Sequence, residues 1–271
     1  MNYRLVVWLI ASLMMFQVSS AEHKPILTAC GHHDYAPWNW LEDDKIVGVC
    51  ARVATDLFGA LGYDVDLTYV GPWKRCQQMI EKGEVDLNIC SFKNSHREEY
   101  SVFSSEPMAM NENAMFVNKD NYFDFNGLET LKGKLIGLVR GVSLGNELDD
   151  YLANNSHVIR VKNHQALLSM LKLNRIDAVI LGRQSGRHLL NLYDLNSEIV
   201  DSPNGLLKGD LYFSFSKKSP HTGLLIDVNE TLKSDKYRVW LASLLERYSQ
   251  MHKEYKQNKM LQINPLGALR D

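Results

Sequence analysis

Trp73-Lys74-Arg75-Cys76-Gln77-Gln78-Met79-Ile80-Glu81-Lys82-Gly83-Glu84-Val85-Asp86-Leu87-Asn88-Ile89 decides the fold. Trp73 to Lys82 reads as a helix, Gly83-Glu84 as a turn, and Val85 to Ile89 as a strand. The same order returns later: His164 to Leu173 as a helix, Asn174-Arg175 as a turn, then Ile176-Asp177-Ala178-Val179-Ile180-Leu181 as a strand. Each copy is the αβ half of a βαβ unit. β-rich segments precede both helices, Asp64 to Val70 and His157 to Val161. Two further strands, Pro25 to Cys30 and Lys134 to Val139, lead through loops into helices at Val49 to Leu61 and Leu144 to Ala153. The chain is therefore α/β in class and reads as two lobes of one plan joined in the middle. The near-continuous apolar run Leu135-Ile136-Gly137-Leu138-Val139 suits a sheet covered on both faces.

The lobe boundary is expected near Asn111 to Asn118. A second crossing is expected near Asp210 to Ser216, where Leu211-Tyr212-Phe213-Ser214-Phe215 alternates. Lobe one then takes residues 22–112 and 214–271, and lobe two takes 113–213. The tail from Gly223 to Lys256 is helical in pattern, with a break at Ser234-Asp235 and Ser234 as a candidate N-cap.

The first 21 residues read as a cleaved secretory signal. Arg4 gives the positive start, Leu5 to Phe16 the apolar run, and Ser19 and Ala21 the small residues before a cut at Glu22. Leu27-Thr28-Ala29-Cys30 resembles a lipoprotein cleavage box but stands too far behind that run. With 32 acidic and 30 basic residues the formal charge is −2, which gives no electrostatic reason to expect nucleic acid. Export, expected to the periplasm, brings the cysteines Cys30, Cys50, Cys76 and Cys90 into an oxidising compartment. Four cysteines allow three connectivities, and the sequence does not choose among them. Cys30 and Cys90 both close expected strands and could be neighbours. No Cys/His spacing points to zinc, and neither metal nor cofactor is called for.

Arg97 follows the strand that ends in Cys90-Ser91-Phe92. Ligands of open α/β sheets bind outside the carboxyl ends of the strands. A guanidinium there can hold a carboxylate through two parallel hydrogen bonds. The competing reading is a surface arginine that caps a loop or pairs with Glu98 or Glu99.

Several short pieces, weak singly, occur in a telling order: Tyr35-Ala36-Pro37, Val47-Gly48-Val49, Pro72-Trp73, Gly83-Glu84-Val85-Asp86, Arg97, Phe103-Ser104-Ser105-Glu106-Pro107, Leu131-Lys132-Gly133-Lys134, Arg140-Gly141-Val142-Ser143 and Asn174-Arg175-Ile176-Asp177-Ala178. In this order the chain resembles periplasmic solute-binding proteins of family 3, the amino-acid type. The resemblance implies a type II periplasmic binding fold: two doubly wound lobes, a ligand cleft between them, and a two-segment hinge. It also implies closure on a small solute and recognition of the closed form by a membrane partner, an ABC-type permease or a sensor receptor. The protein is expected to act as a monomer.

Arg97 matches the family arginine that holds the ligand carboxylate. Ser143 follows Gly141-Val142 at an expected helix start, where free N–H groups favour an anion; it could equally be a plain N-cap. Gly141 lets the backbone approach a ligand. Tyr35, Trp38 and Trp73 are expected on the cleft wall, against the alternative of core packing. Ser91 and Phe92 flank the arginine's loop. Arg75 could add a second positive charge or face solvent.

The resemblance also implies an acid just after the second Asp-Ala strand, to pair with a ligand ammonium. Here Gly182-Arg183-Gln184 stands in its place. The expected ligand therefore carries a carboxylate and is either an amino acid held differently or a non-amino organic acid. An enzyme on this fold, of the dehydratase kind, is the alternative. It would need a general acid or base in the cleft, for which Glu106, Glu112, His32 and His33 are the candidates. Neighbours on an extended segment face opposite sides, so His32 and His33 are expected to part, one exposed and one partly buried.

Overall fold

The computed structural model describes residues 23–263; the expected signal lies outside the described residues. The first part of the chain gives β1 (Ile26–Cys30), β2 (Asp34–Tyr35), β3 (Asn39–Glu42), β4 (Lys45–Val47), α1 (Val49–Ala60), β5 (Asp64–Asp66), α2 (Trp73–Lys82), β6 (Leu87–Phe92), α3 (Ser95–Tyr100) and β7 (Ser101–Phe103). The middle gives β8 (Glu112–Asn118), β9 (Leu135–Val139), α4 (Asn146–Asn155), β10 (His157–Val161), α5 (His164–Lys172), β11 (Ala178–Gly182), α6 (Arg183–Leu192), β12 (Ile199–Asp201) and β13 (Leu207–Lys208). The chain returns through β14 (Leu211–Ser216) and ends in α7 (Leu225–Leu232) and α8 (Asp235–Ile263).

Two sheets repeat one plan. Their strand orders are β5-β1-β6-β14-β7 and β10-β9-β11-β8-β12. In the first, β1 runs parallel to β5 and β6, and β14 closes antiparallel on β6. In the second, β9 runs parallel to β10 and β11, and β8 closes antiparallel on β11. The closing strand of each sheet comes from beside the crossing. β8 is the first strand after the chain leaves lobe one, and β14 is the first after it returns.

The second crossing lies earlier than expected. The whole of Leu211–Ser216 belongs to the first sheet, so the chain re-enters lobe one before Leu211 and not at 214. Leu211, Phe213 and Phe215 are all fully buried in that lobe's core, and one paired strand cannot be divided between two sheets. The two connecting segments lie side by side. Gly209 N–H donates to Asn111 O at 2.6 Å, and Leu211 N–H to Ala109 O at 2.9 Å.

The second sheet is covered on both faces, as its apolar strands require. Phe116 and Val179 face one cluster with Leu167 and Leu168. Met115 and Ile180 face the other with Leu138 and Leu148. In lobe one Phe58 packs edge-on against Phe213 and Phe215. Helix ends follow the sequence signals. Gly83 takes the left-handed conformation (φ 79°) that ends α2. Ser234 Oγ accepts from Tyr237 N–H at 3.1 Å and caps α8. The first strand after the helix starts at Leu87, two residues later than expected, and the Asp86 carboxylate just before it accepts from the Thr28 N–H and hydroxyl.

The cysteines pair as Cys30–Cys76 and Cys50–Cys90, with Cα separations of 5.8 and 6.0 Å. Cys30 and Cys90 do lie on adjacent strands, but each bonds outward to a helix, α2 and α1 respectively. Closing loops of this length restricts the unfolded chain, which stabilises the fold by about 3–4 kcal/mol per bridge in the chain-entropy account.

Candidate solute-binding cleft

The cleft is built at the end of β6. Asn94 caps α3, its Oδ1 accepting from Arg97 N–H at 2.8 Å, and this places Arg97 on the first turn. The side chain folds inward and is 5 % exposed. Its Nη1 donates to Phe92 O at 2.8 Å and to Ser91 Oγ at 3.2 Å. The guanidinium carbon lies 5.4 Å from the Trp73 ring centre. Among the described residues no carboxylate comes within ion-pair distance of it. Burial draws its affinity for the proton below the ordinary arginine value, while Tyr100 and the more distant Asp149 work the other way. A buried guanidinium without a counter-ion is costly, and an anion in the cleft relieves that cost.

Arg97 forms one wall of a cavity between the lobes, with His32, Tyr35, Trp73 and Phe92 beside it on the same side. Val142, Ser143, Leu144, His164, Ile180 and Leu181 face them from lobe two, with Asn113 and Gly182 on the strands nearest the hinge. The space between these walls, including its open mouth, is about 460 Å³. The walls are mainly apolar, as small-solute pockets are, with a few polar groups aimed inward.

The lobes are joined around this cavity. Asn94 Nδ2 donates to Ser143 Oγ at 2.9 Å. Ser143 Oγ in turn donates a hydrogen bond to Asp149 Oδ2. Asp34 Oδ2 accepts from His164 N–H at 3.1 Å, and the His164 Nδ1 stands 3.1 Å from the same oxygen. Burial of the Asp34 carboxyl opposes its ionisation, but the His164 contacts outweigh that and hold it well below the usual carboxylate range. His188 Nε2 and His252 Nδ1 meet at 2.7 Å and tie α6 to α8. Behind Tyr35, the hinge residue Asn111 donates from Nδ2 to the tyrosine hydroxyl at 2.6 Å. Burial pushes that hydroxyl above its ordinary range, against the pull of Ser185 and Asn111, so it stays protonated.

Of the nine residues expected at the site, Arg97, Tyr35, Trp73, Ser143 and Phe92 line the cavity. Ser91 sits behind Arg97 as its hydrogen-bond partner. Gly141 passes over Trp73, where an added Cβ would meet the indole at 3.4 Å. Trp38 is not in the cleft: it is packed in the lobe-one core and borders a separate hollow against α8. Arg75 is exposed and lies along Gly71. Arg183, beside the position where the resemblance implied an acid, turns away to Glu112, Asp201 and the Ser202 carbonyl. Glu112 is thereby used outside the cavity, and Glu106 borders the hollow with Trp38.

His164, Asn113 and Asp34 were not among the expected site residues, and His32 was named only as a candidate acid or base for the enzyme alternative. Alternation failed for the His32-His33 pair, whose rings stack almost parallel (8°) with centres 5.3 Å apart; His32 is 4 % exposed. The signal for His164 was the repeat itself. Trp73 opens α2 and His164 opens α5, the equivalent helices of the two lobes, and both face the cleft.

The profile of the bacterial extracellular solute-binding proteins, family 3, matches residues 27–251. The chain belongs to that family. Comparison with curated proteins finds no match. Among solved structures, this family-3 protein is similar to the amino acid ABC transporter substrate-binding protein AbpA from Streptococcus pneumoniae, solved with L-arginine. The TM-score is 0.68 at 21 % identity, covering 83 % of this chain and 94 % of that one. It is similar to the VFT2 domain of BvgS from Bordetella pertussis, with a TM-score of 0.67 at 20 % identity over 91 % and 98 % of the two chains. It is also similar to AncCDT-1, an ancestral amino acid-binding protein described as a precursor of cyclohexadienyl dehydratase, with a TM-score of 0.65 at 20 % identity over 82 % and 95 %. At these identities the likeness establishes the two-lobed fold.

Proposed function

We propose that this exported family-3 protein captures a small carboxylate-bearing solute, an amino acid or a related organic acid, between its lobes and delivers it to an ABC-type uptake transporter. The observation that carries this reading is Arg97: buried, on the cavity wall, and, among the described residues, with no carboxylate within ion-pair distance. The guanidinium has a fork geometry suited to a carboxylate. The cross-lobe contacts Asn94–Ser143 and Asp34–His164 frame the cavity on either side and are available to hold the closed form once a solute is inside. A permease that reads the closed form would then distinguish loaded from empty receptor.

The test is a thermal-shift screen of residues 22–271 against amino acids, organic acids, small peptides and amines. A ligand that binds only the folded state raises the melting temperature by mass action. Shifts confined to carboxylates support the proposal. Shifts with amines alone would refute it and move recognition to the aromatic wall.

A further inference from the structure

Two polar side chains on the cavity wall keep atoms without partners. Asn113 is fully buried, and neither its Oδ1 nor its Nδ2 has a partner in the protein. His32 is buried and its Nε2 is also unpaired. The tautomer of His32 follows from its other nitrogen. Nδ1 accepts the Asp34 N–H at 3.0 Å, so the ring proton sits on Nε2 and makes that atom a donor. Burial, then the charges of His164 and His33, lower His32 to about 3, which keeps the ring neutral. Buried polar atoms without partners are rare in native proteins and here mark what the solute must supply.

The charged groups are as informative. Arg97 is a cation on the wall, and among the described residues no acidic side chain lines the cavity. Asp34 is the nearest candidate, but its carboxylate is held by the backbone and ring of His164. Asp149 is held by Ser143 Oγ and the Leu144 N–H. At Gly182 a side chain is sterically barred: its Cβ would stand 2.2 Å from Asn111 Nδ2. A zwitterion bound here would spend its carboxylate on Arg97 and place its ammonium in a buried site with no acidic side chain on the described wall to pair with it. An acid with a neutral oxygen beside its carboxylate adds no second positive charge next to Arg97 and offers an acceptor to the His32 Nε2–H and the Asn113 Nδ2, and a 2-hydroxyl can also donate to the Asn113 Oδ1.

We infer that the solute is a compact 2-oxo or 2-hydroxy carboxylate, whose oxygen next to the carboxylate is met by the His32 Nε2–H and the Asn113 amide, and not an α-amino acid. This rests on the carboxylate-receptor reading above and narrows it. The apolar Val142, Leu144 and Ile180 wall favours an aliphatic chain.

Calorimetric titration with matched skeletons tests it: pyruvate, lactate and alanine; then 2-oxoisovalerate, 2-hydroxyisovalerate and valine. The expected result is that the oxo or hydroxy member of a set binds at least tenfold tighter than the amino member. In the folded Asn113→Asp variant, which puts a carboxylate into the cavity, the preference should turn towards the amino member. His32→Asn, with its fold checked by melting temperature, should weaken the oxo acid while leaving weaker binding through Arg97. Equal or tighter binding of the amino member to the unaltered protein overturns the inference and leaves the carboxylate receptor standing. If no carboxylate of either set binds, and amines do in the screen, both readings fall.

Discussion

Replacing Arg97 separates a binding group from a structural one. The guanidinium sits in a largely desolvated wall. At a contact of about 3 Å and an effective dielectric of about 20, its attraction for a carboxylate is about 5 kcal/mol. Truncating one partner of a buried, hydrogen-bonded charge pair costs about 2–5 kcal/mol in practice. Arg97→Ala should therefore weaken a carboxylate solute by roughly 30- to 4,000-fold, at about 1.4 kcal/mol per decade. Arg97→Lys keeps the charge but not the two-pronged geometry and should still lose about tenfold. The unliganded fold should barely respond. Ser91 Oγ already donates to Phe92 O at 3.2 Å, so neither is orphaned when Nη1 leaves, and the alanine removes a buried charge that lacks a counter-ion. Opposing changes of this size leave a net effect within about 1 kcal/mol, or about 2–4 °C for a chain of this length. Calorimetry gives the affinity and a ligand-free melt gives the stability. Unchanged affinity in Arg97→Ala would refute the role assigned to the guanidinium. A large ligand-free loss of melting temperature would recast it as structural.

Acid should loosen the lobes. Burial holds His188 down at about 4 and His252 at about 3; Lys253 adds to the first, and His188 and Lys256 to the second, against Asp34. The paired rings thus bind fewer protons than free histidines near 6.5. Stability is then fully present above about pH 6.5 and is lost as pH falls towards 4, with His32 contributing in the same window. Melting temperature measured from pH 7.5 to 4.5 should fall, and His188→Asn should flatten part of that slope; an identical slope would exclude the pair. Gly48→Ala should destabilise strongly, because Gly48 has φ 122° and its Cβ would stand 2.4 Å from the Trp38 carbonyl oxygen. A chemical melt within about 0.5 kcal/mol of the unaltered protein would contradict that packing.

The repeated helix–turn–strand pattern was legible because period and punctuation are local. Trp73 to Lys82 came out with the observed limits, and Gly83 ended the helix as glycine does. The end of lobe two was misread at Leu211 to Ser216 because alternation identifies a strand but not the sheet it joins; pairing with Leu87–Phe92 settles that. Arg97 was readable from its place past a strand end. Asn113 was not, since a buried asparagine inside an apolar strand carries no pattern, and its significance lies in what fails to pair with it. Trp38 misled for a related reason: tryptophan suits a core and a cleft wall alike, and only the fold of the loop decides. The disulfides join each central strand to a helix brought alongside it, a proximity the spacing of four cysteines does not encode.

The central claim is that a buried arginine captures a free carboxylate between closing lobes. It is tested most directly by titrating the tightest acid of the matched sets against its own primary amide, which keeps the shape and removes the negative charge. The account predicts that the acid binds and the amide is weaker by at least a hundredfold. Equal binding of acid and amide would contradict it.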